Sequence, residues 1–142
     1  MRSPGMTPLM LALECHMHYK NRREIAKILI DHGASLTARD STDKTPLMFA
    51  IQSGDVALVE YLMERAGVEG ARRLVTMTTK HGMNCMHFAA QLRKKLGEEK
   101  RRLLRKLILA GGDPSHRNNE GDSAKDWDRI NVEAVLADLR TA

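Results

Sequence analysis

The sequence predicts an all-α solenoid of stacked helix-turn-helix units, and three observations point there. First, Thr7-Pro8-Leu9-Met10 returns as Thr45-Pro46-Leu47-Met48 and, degraded, as Asn84-Cys85-Met86-His87, at steps of 38 and 39 residues. Second, Thr37, Thr76 and Ser115 recur 39 residues apart, and each is followed three residues later by Asp40, Thr79 or Asn118. Third, each period contains a second apolar run that stops at glycine: Ile25–Ile30 before Gly33, Val56–Met63 before Gly67, and Leu103–Leu109 before Gly111-Gly112. A fixed period of this length marks an array of one small supersecondary unit.

In the first unit, Thr7 is a helix N-cap and Pro8 fills the first helical position, where its missing donor costs nothing. Leu9 and Leu13 then share one face. The stretch Cys15–Asn21 reads as a longer connection, the run Ile25–Ile30 as the second helix, and Gly33 as its left-handed stop. The second unit repeats this with Thr45-Pro46, the pair Leu47/Ile51, the run Val56–Met63 and the stop Gly67. Extra residues follow around Val68–Arg73, where Glu69–Val75 is expected to add one short turn. The third opens at Asn84-Cys85 without a proline, pairs Met86 with Ala90, carries extra residues around Arg93–Lys100, and ends its second helix at Gly111-Gly112. Gly121-Asp122-Ser123-Ala124 opens a shortened fourth, with Val132–Leu139 as its second helix. The units fall at about residues 5–43, 44–82, 83–121 and 122–142, in one domain: three full hairpin-turned repeats and a truncated C-terminal one.

Composition agrees with that class. The chain has 142 residues, 42% hydrophobic and 4% aromatic, so its core must be aliphatic and methionine-rich. No apolar run approaches membrane-spanning length, and Met1-Arg2-Ser3-Pro4-Gly5 is not a secretory signal. Two cysteines in different repeats, Cys15 and Cys85, suit a reduced intracellular setting, cytoplasmic or nuclear. Charge is unevenly spread: residues 1–71 carry a net −1 and residues 72–142 a net +6. The segment 91–110 supplies a basic strip of Arg93, Lys94, Lys95, Lys100, Arg101, Arg102, Arg105 and Lys106 against Glu98 and Glu99. With Leu103, Leu104, Leu107 and Ile108 as a buried stripe, Arg101, Arg102, Arg105 and Lys106 are expected on the outer face. Such a strip is a solvated helix face in the first instance, a dock for an acidic protein surface in the second, and a weaker candidate for nucleic acid or anionic lipid. No aromatic is interleaved to stack bases.

Catalytic chemistry finds no foothold. Cys15-His16-Met17-His18 and His81…Cys85-x-His87 match no zinc spacing, so no metal is expected. There is no glycine-rich phosphate loop, nucleophile elbow or oriented Cys/His pair, so no cofactor and no catalytic residue is assigned.

The chain resembles the ankyrin repeat family. Its pattern is matched by Gly5-Met6-Thr7-Pro8-Leu9-Met10-Leu11-Ala12, Ile28-Leu29-Ile30-Asp31-His32-Gly33-Ala34, Lys44-Thr45-Pro46-Leu47-Met48-Phe49-Ala50 and His87-Phe88-Ala89-Ala90, and the likeness spans about residues 5 to 140. Family units are about 33 residues long, so each unit here is extended. The resemblance makes His87 the helix-start histidine that ties neighbouring loops, a tie that Met10 and Met48 cannot make. It implies a non-catalytic protein-interaction scaffold, part of a larger protein or array, that binds through a concave groove of turn tips and inner helix faces. By matching positions the groove residues are Arg39, Lys44, Lys80, His81, Met83, Arg117 and Asn119 at the tips. The inner faces offer Phe49, Gln52, Phe88 and Gln91, with the two phenylalanines as exposed anchors or as inter-repeat core. The start of the array, around Leu9, Leu13, Ile25 and Leu29, is expected to be partly uncovered and open to self-association.

Overall fold

The computed structural model describes residues 5–14, 21–93 and 97–141. Within them the chain forms α1 (Pro8–Leu13), α2 (Arg22–Asp31), α3 (Pro46–Gln52), α4 (Val56–Thr76), α5 (Cys85–Ala90), α6 (Gly97–Leu109), α7 (Ala124–Trp127) and α8 (Arg129–Thr141). The odd-numbered helices pack on one another in an inner row, the even-numbered ones in an outer row, and each pair α1/α2, α3/α4, α5/α6 and α7/α8 is in contact. The only extended pairing among the described residues is a single bridge between Arg117 and Ser123.

The repeated helix starts are capped as their sequence demands. The hydroxyls of Thr7 and Thr45 accept the amides of Met10 and Met48, while the thioethers of those methionines accept the threonine amides. Asn84 and Ser123 cap α5 and α7 through His87 and Asp126 in the same reciprocal way. The helix stops also hold, with Gly33, Gly67 and Gly111 all at positive φ. At Gly67 (φ 78°, ψ 174°) α4 breaks, and the following segment resumes as the extra turn expected there.

Between the rows lies a continuous aliphatic core, including Leu9, Leu13, Leu47, Met48, Ile51, Leu58, Leu62, Met86, Leu103 and Leu107. Two expectations are corrected here. Of the four residues expected to be partly uncovered at the array's start, Leu9 and Leu13 are buried, whereas Ile25 is exposed and Leu29 half-buried, so the exposure lies on the outer helix, where Ile28 adds to it. The extension around Arg93–Lys100 is not all loop either, because α6 begins at Gly97. The first extension, Cys15–Asn21, lies outside the described residues except for Asn21.

Candidate interaction surface

The turn tips are built from one repeated device. In each tip a short polar side chain accepts two amides from the turn it opens. Asp40 Oδ1 takes the amides of Thr42 and Lys44, Thr79 Oγ1 those of His81 and Met83, and Asn118 Oδ1 those of Glu120 and Asp122. This is the side chain mimicking a backbone turn. It explains why the second repeat register in the sequence predicted these three positions.

Successive tips are then laced together. The Lys80 amide donates to the Thr42 carbonyl at 3.0 Å, and the Asn119 amide to the His81 carbonyl at 2.9 Å. Side chains add to the ladder: Arg39 donates to the Thr78 carbonyl at 2.9 Å and Asn119 Nδ2 to the Lys80 carbonyl at 2.8 Å. The approach is close enough that a Cβ on Gly82 would sit 2.6 Å from Asn119 Oδ1. His87, buried at the start of α5, reaches across to the Asp122 carbonyl at 2.8 Å, the loop tie expected of it. Burial depresses its pKa and nearby His116 adds to that, against the opposing carbonyl contact. Trp127 meets its ring edge-on at 5.1 Å.

Of the predicted groove residues, Arg39, Gln52, Lys80, His81, Gln91, Arg117 and Asn119 are exposed, and Lys44 and Met83 half-buried. Phe49 and Phe88 are not exposed anchors: each is only 6% accessible. They form a floor instead, with the Lys44 ammonium 4.3 Å above the Phe49 ring centre and 5.4 Å from that of Phe88. Gln52 accepts from the same ammonium.

The basic strip is less free than its sequence suggests. Arg102 and Lys106 both pair with Glu60 on α4, Arg105 with Asp138 on α8, and Arg101 donates to Asn131. Arg105 and Lys106, expected on the outer face, are therefore met there by carboxylates of the neighbouring helices. Arg93 is exposed, while Lys94 and Lys95 lie outside the described residues. Lys100 departs furthest. It is 2% accessible, donates to the carbonyls of Ala90 and Leu92 at 2.9 Å each, and pairs with Asp128. Its legible signal was position, for it falls on the same helical stripe as Leu103, Leu104 and Leu107. Cys85 is a buried thiol whose Sγ donates to the Val75 carbonyl, with its pKa pushed up to about 12 by burial.

The family model described as ankyrin repeats (three copies) matches residues 1–73. The chain is similar to NF-kappa-B inhibitor delta of Homo sapiens, 29% identical over 123 residues, covering 86% of this chain and 37% of that protein. The Mus musculus protein of the same name is 30% identical over 134 residues, covering 83% and 40%. A putative ankyrin repeat protein of Rickettsia bellii is 39% identical over 70 residues, covering 49% and 39%. The chain thus spans about two fifths of the length of these relatives. In fold it is like the solved ankyrin repeat domain of Bcl-3, with a TM-score of 0.64 and 22% identity, covering 94% of this chain and 52% of that one.

Proposed function

Because this chain belongs to the ankyrin-repeat family, we propose that it is a non-catalytic protein-recognition module that binds its partner across the turn tips and inner helix faces. The observation that carries this reading is the tip ladder. Arg39, Lys80, His81 and Asn119 stand on backbone that is hydrogen-bonded both within each turn and to the next. A surface ordered in advance loses little entropy on binding, which is where much of an interface's gross energy otherwise goes. The relatives named as inhibitors of NF-kappa-B support a protein as the class of partner. Docking of phosphates on the basic strip has less support, since Arg102, Arg105 and Lys106 already meet carboxylates of the same chain.

The test is an affinity capture from the cell of origin, read by quantitative mass spectrometry. The intact domain is compared with a Lys80→Glu/Gln91→Arg variant whose circular dichroism is unchanged. Proteins retained by the domain should be lost from the variant. Equal retention by both would end the claim for this face.

A further inference from the structure

On the outer row, away from the tips, α4 and α6 enclose a groove of about 780 Å³. That is within the size range of specific ligand sites. Its floor is aliphatic: Met63 and Ala71 are largely buried, while Val68 and Leu109 are 79% and 69% exposed. Two large apolar side chains standing this open in one groove differ from scattered surface leucines, which need no explanation. The groove exists because of the extra residues of the second unit. Gly67 breaks α4, and the added segment carries Val68, Ala71 and Arg72 to its end wall.

Charge around the groove is ordered. Glu60, which lines the groove, is occupied by Arg102 and Lys106. Glu64 and Arg72 also line the groove, and no ion pair involves either among the described residues. The lining thus offers an uncommitted carboxylate and an uncommitted guanidinium together with aliphatic surface. The wall from Glu60 to Gly67 is about 10 Å long at a helix rise of 1.5 Å per residue. That length accepts about two turns of helix, which would present apolar side chains at i, i+3/i+4 and i+7.

We propose that this outer groove is a second docking site, and that its occupant is a short amphipathic helix of another protein. That helix carries an aliphatic stripe flanked by a carboxylate that meets Arg72 and a cation that meets Glu64. This surface is separate from the turn tips, so the array could hold two partners at once.

The probe is a synthetic helical peptide with a leucine stripe, one flanking Glu and one flanking Lys, titrated into the domain labelled at its methionine methyls. Binding in the millimolar range should shift the Met63 methyl saturably and leave Met48, in the interior, unmoved. Arg72→Glu should weaken binding about tenfold, and replacing the peptide's Glu by Arg should restore it on that variant. Leu109→Asp, at an exposed position that leaves the core alone, should abolish it. The proposal is overturned by no saturable shift at Met63, by equal binding of the Arg72→Glu variant, by undiminished binding of the Leu109→Asp variant, or by failure of the charge swap to rescue. A peptide that shifts residues at the tips instead would also overturn it, without touching the reading of that face.

Discussion

Lys100 is the side chain on which the junction of the third and fourth units turns. Removing this buried cation leaves the carbonyls of Ala90 and Leu92 without the lysine donor, and leaves the carboxylate of Asp128, still bonded by Asn131, without its cationic partner. Breaking one partner of a buried pair costs about 3–5 kcal/mol, more than the pair itself contributes. Lys100→Met should therefore lower unfolding free energy by about 3 kcal/mol in denaturant titration. Lys100→Met with Asp128→Leu should cost less than the sum of the single changes, since neither charge is then stranded. Two groups give the junction a pH dependence. Burial and His116 lower the His87 pKa from 6.5, so its stabilising contribution is full above that value and is lost as pH falls from 6.5 through the lower native value. Asp128 is raised by burial but lowered further by Lys100 and Asn131, so its contribution is lost at more acid pH, as pH falls from 3.8 through its depressed native value. Stability measured from pH 7 downward should fall in two stages, and His87→Gln should remove the first. A single acid stage in the unmutated chain would contradict the assignment.

Among the elements, the break in α4 has the clearest sequence origin and the clearest test. Gly67 sits at φ 78°, ψ 174°, a conformation almost confined to glycine. A Cβ there would meet nothing within 4 Å, so the cost of Gly67→Ala is backbone strain alone. It should lower stability by about 1–3 kcal/mol, and a thermal shift within error of the parent would show that the segment relaxes into another path. Helix starts, stops and this extra turn were legible because each rests on local chemistry: a cap, a proline, a glycine. What the sequence left open or missed was decided across units. Phe49 and Phe88 read equally as exposed anchors or as inter-repeat core, and the fold selects the core: both are buried, with Lys44 over their rings. Leu9 and Leu13 looked uncovered because one-sided periodicity says nothing of what α2 and α3 close over them. The outer groove escaped for the same reason: its walls come from α4 and α6, more than thirty residues apart in sequence.

Across the whole molecule, the charge asymmetry of the sequence becomes a set of bridges that bind the outer row together. Arg102 and Lys106 join α6 to α4 through Glu60, and Arg105 joins α6 to α8 through Asp138. The sequence alone placed Arg101, Arg102 and Arg105 on the outer face, opposite the buried stripe, where a charge reversal touches no core residue. In the folded chain the reversal sets three new carboxylates beside Glu60, Glu98 and Asp138. Each exposed pair contributes little singly, about 0.2–1 kcal/mol, but like charges at the same distance change its sign. In a linear array, stability is close to a sum of unit and neighbour terms, so the loss should concentrate at the α4–α6 and α6–α8 interfaces. The triple change Arg101→Glu, Arg102→Glu and Arg105→Glu should destabilise the chain by about 1–3 kcal/mol, with hydrogen exchange accelerated most in α6 and α8. Raising salt should recover much of that, because repulsion between exposed charges is screened over about 10 Å at 0.1 M. Neutral replacements, all three to Gln, should cost less and respond weakly to salt. If the reversed and neutral triples were equally stable at low salt, the bridges would be geometric coincidences of a solvated face. The strip would then be free to meet a partner's carboxylates instead of its own.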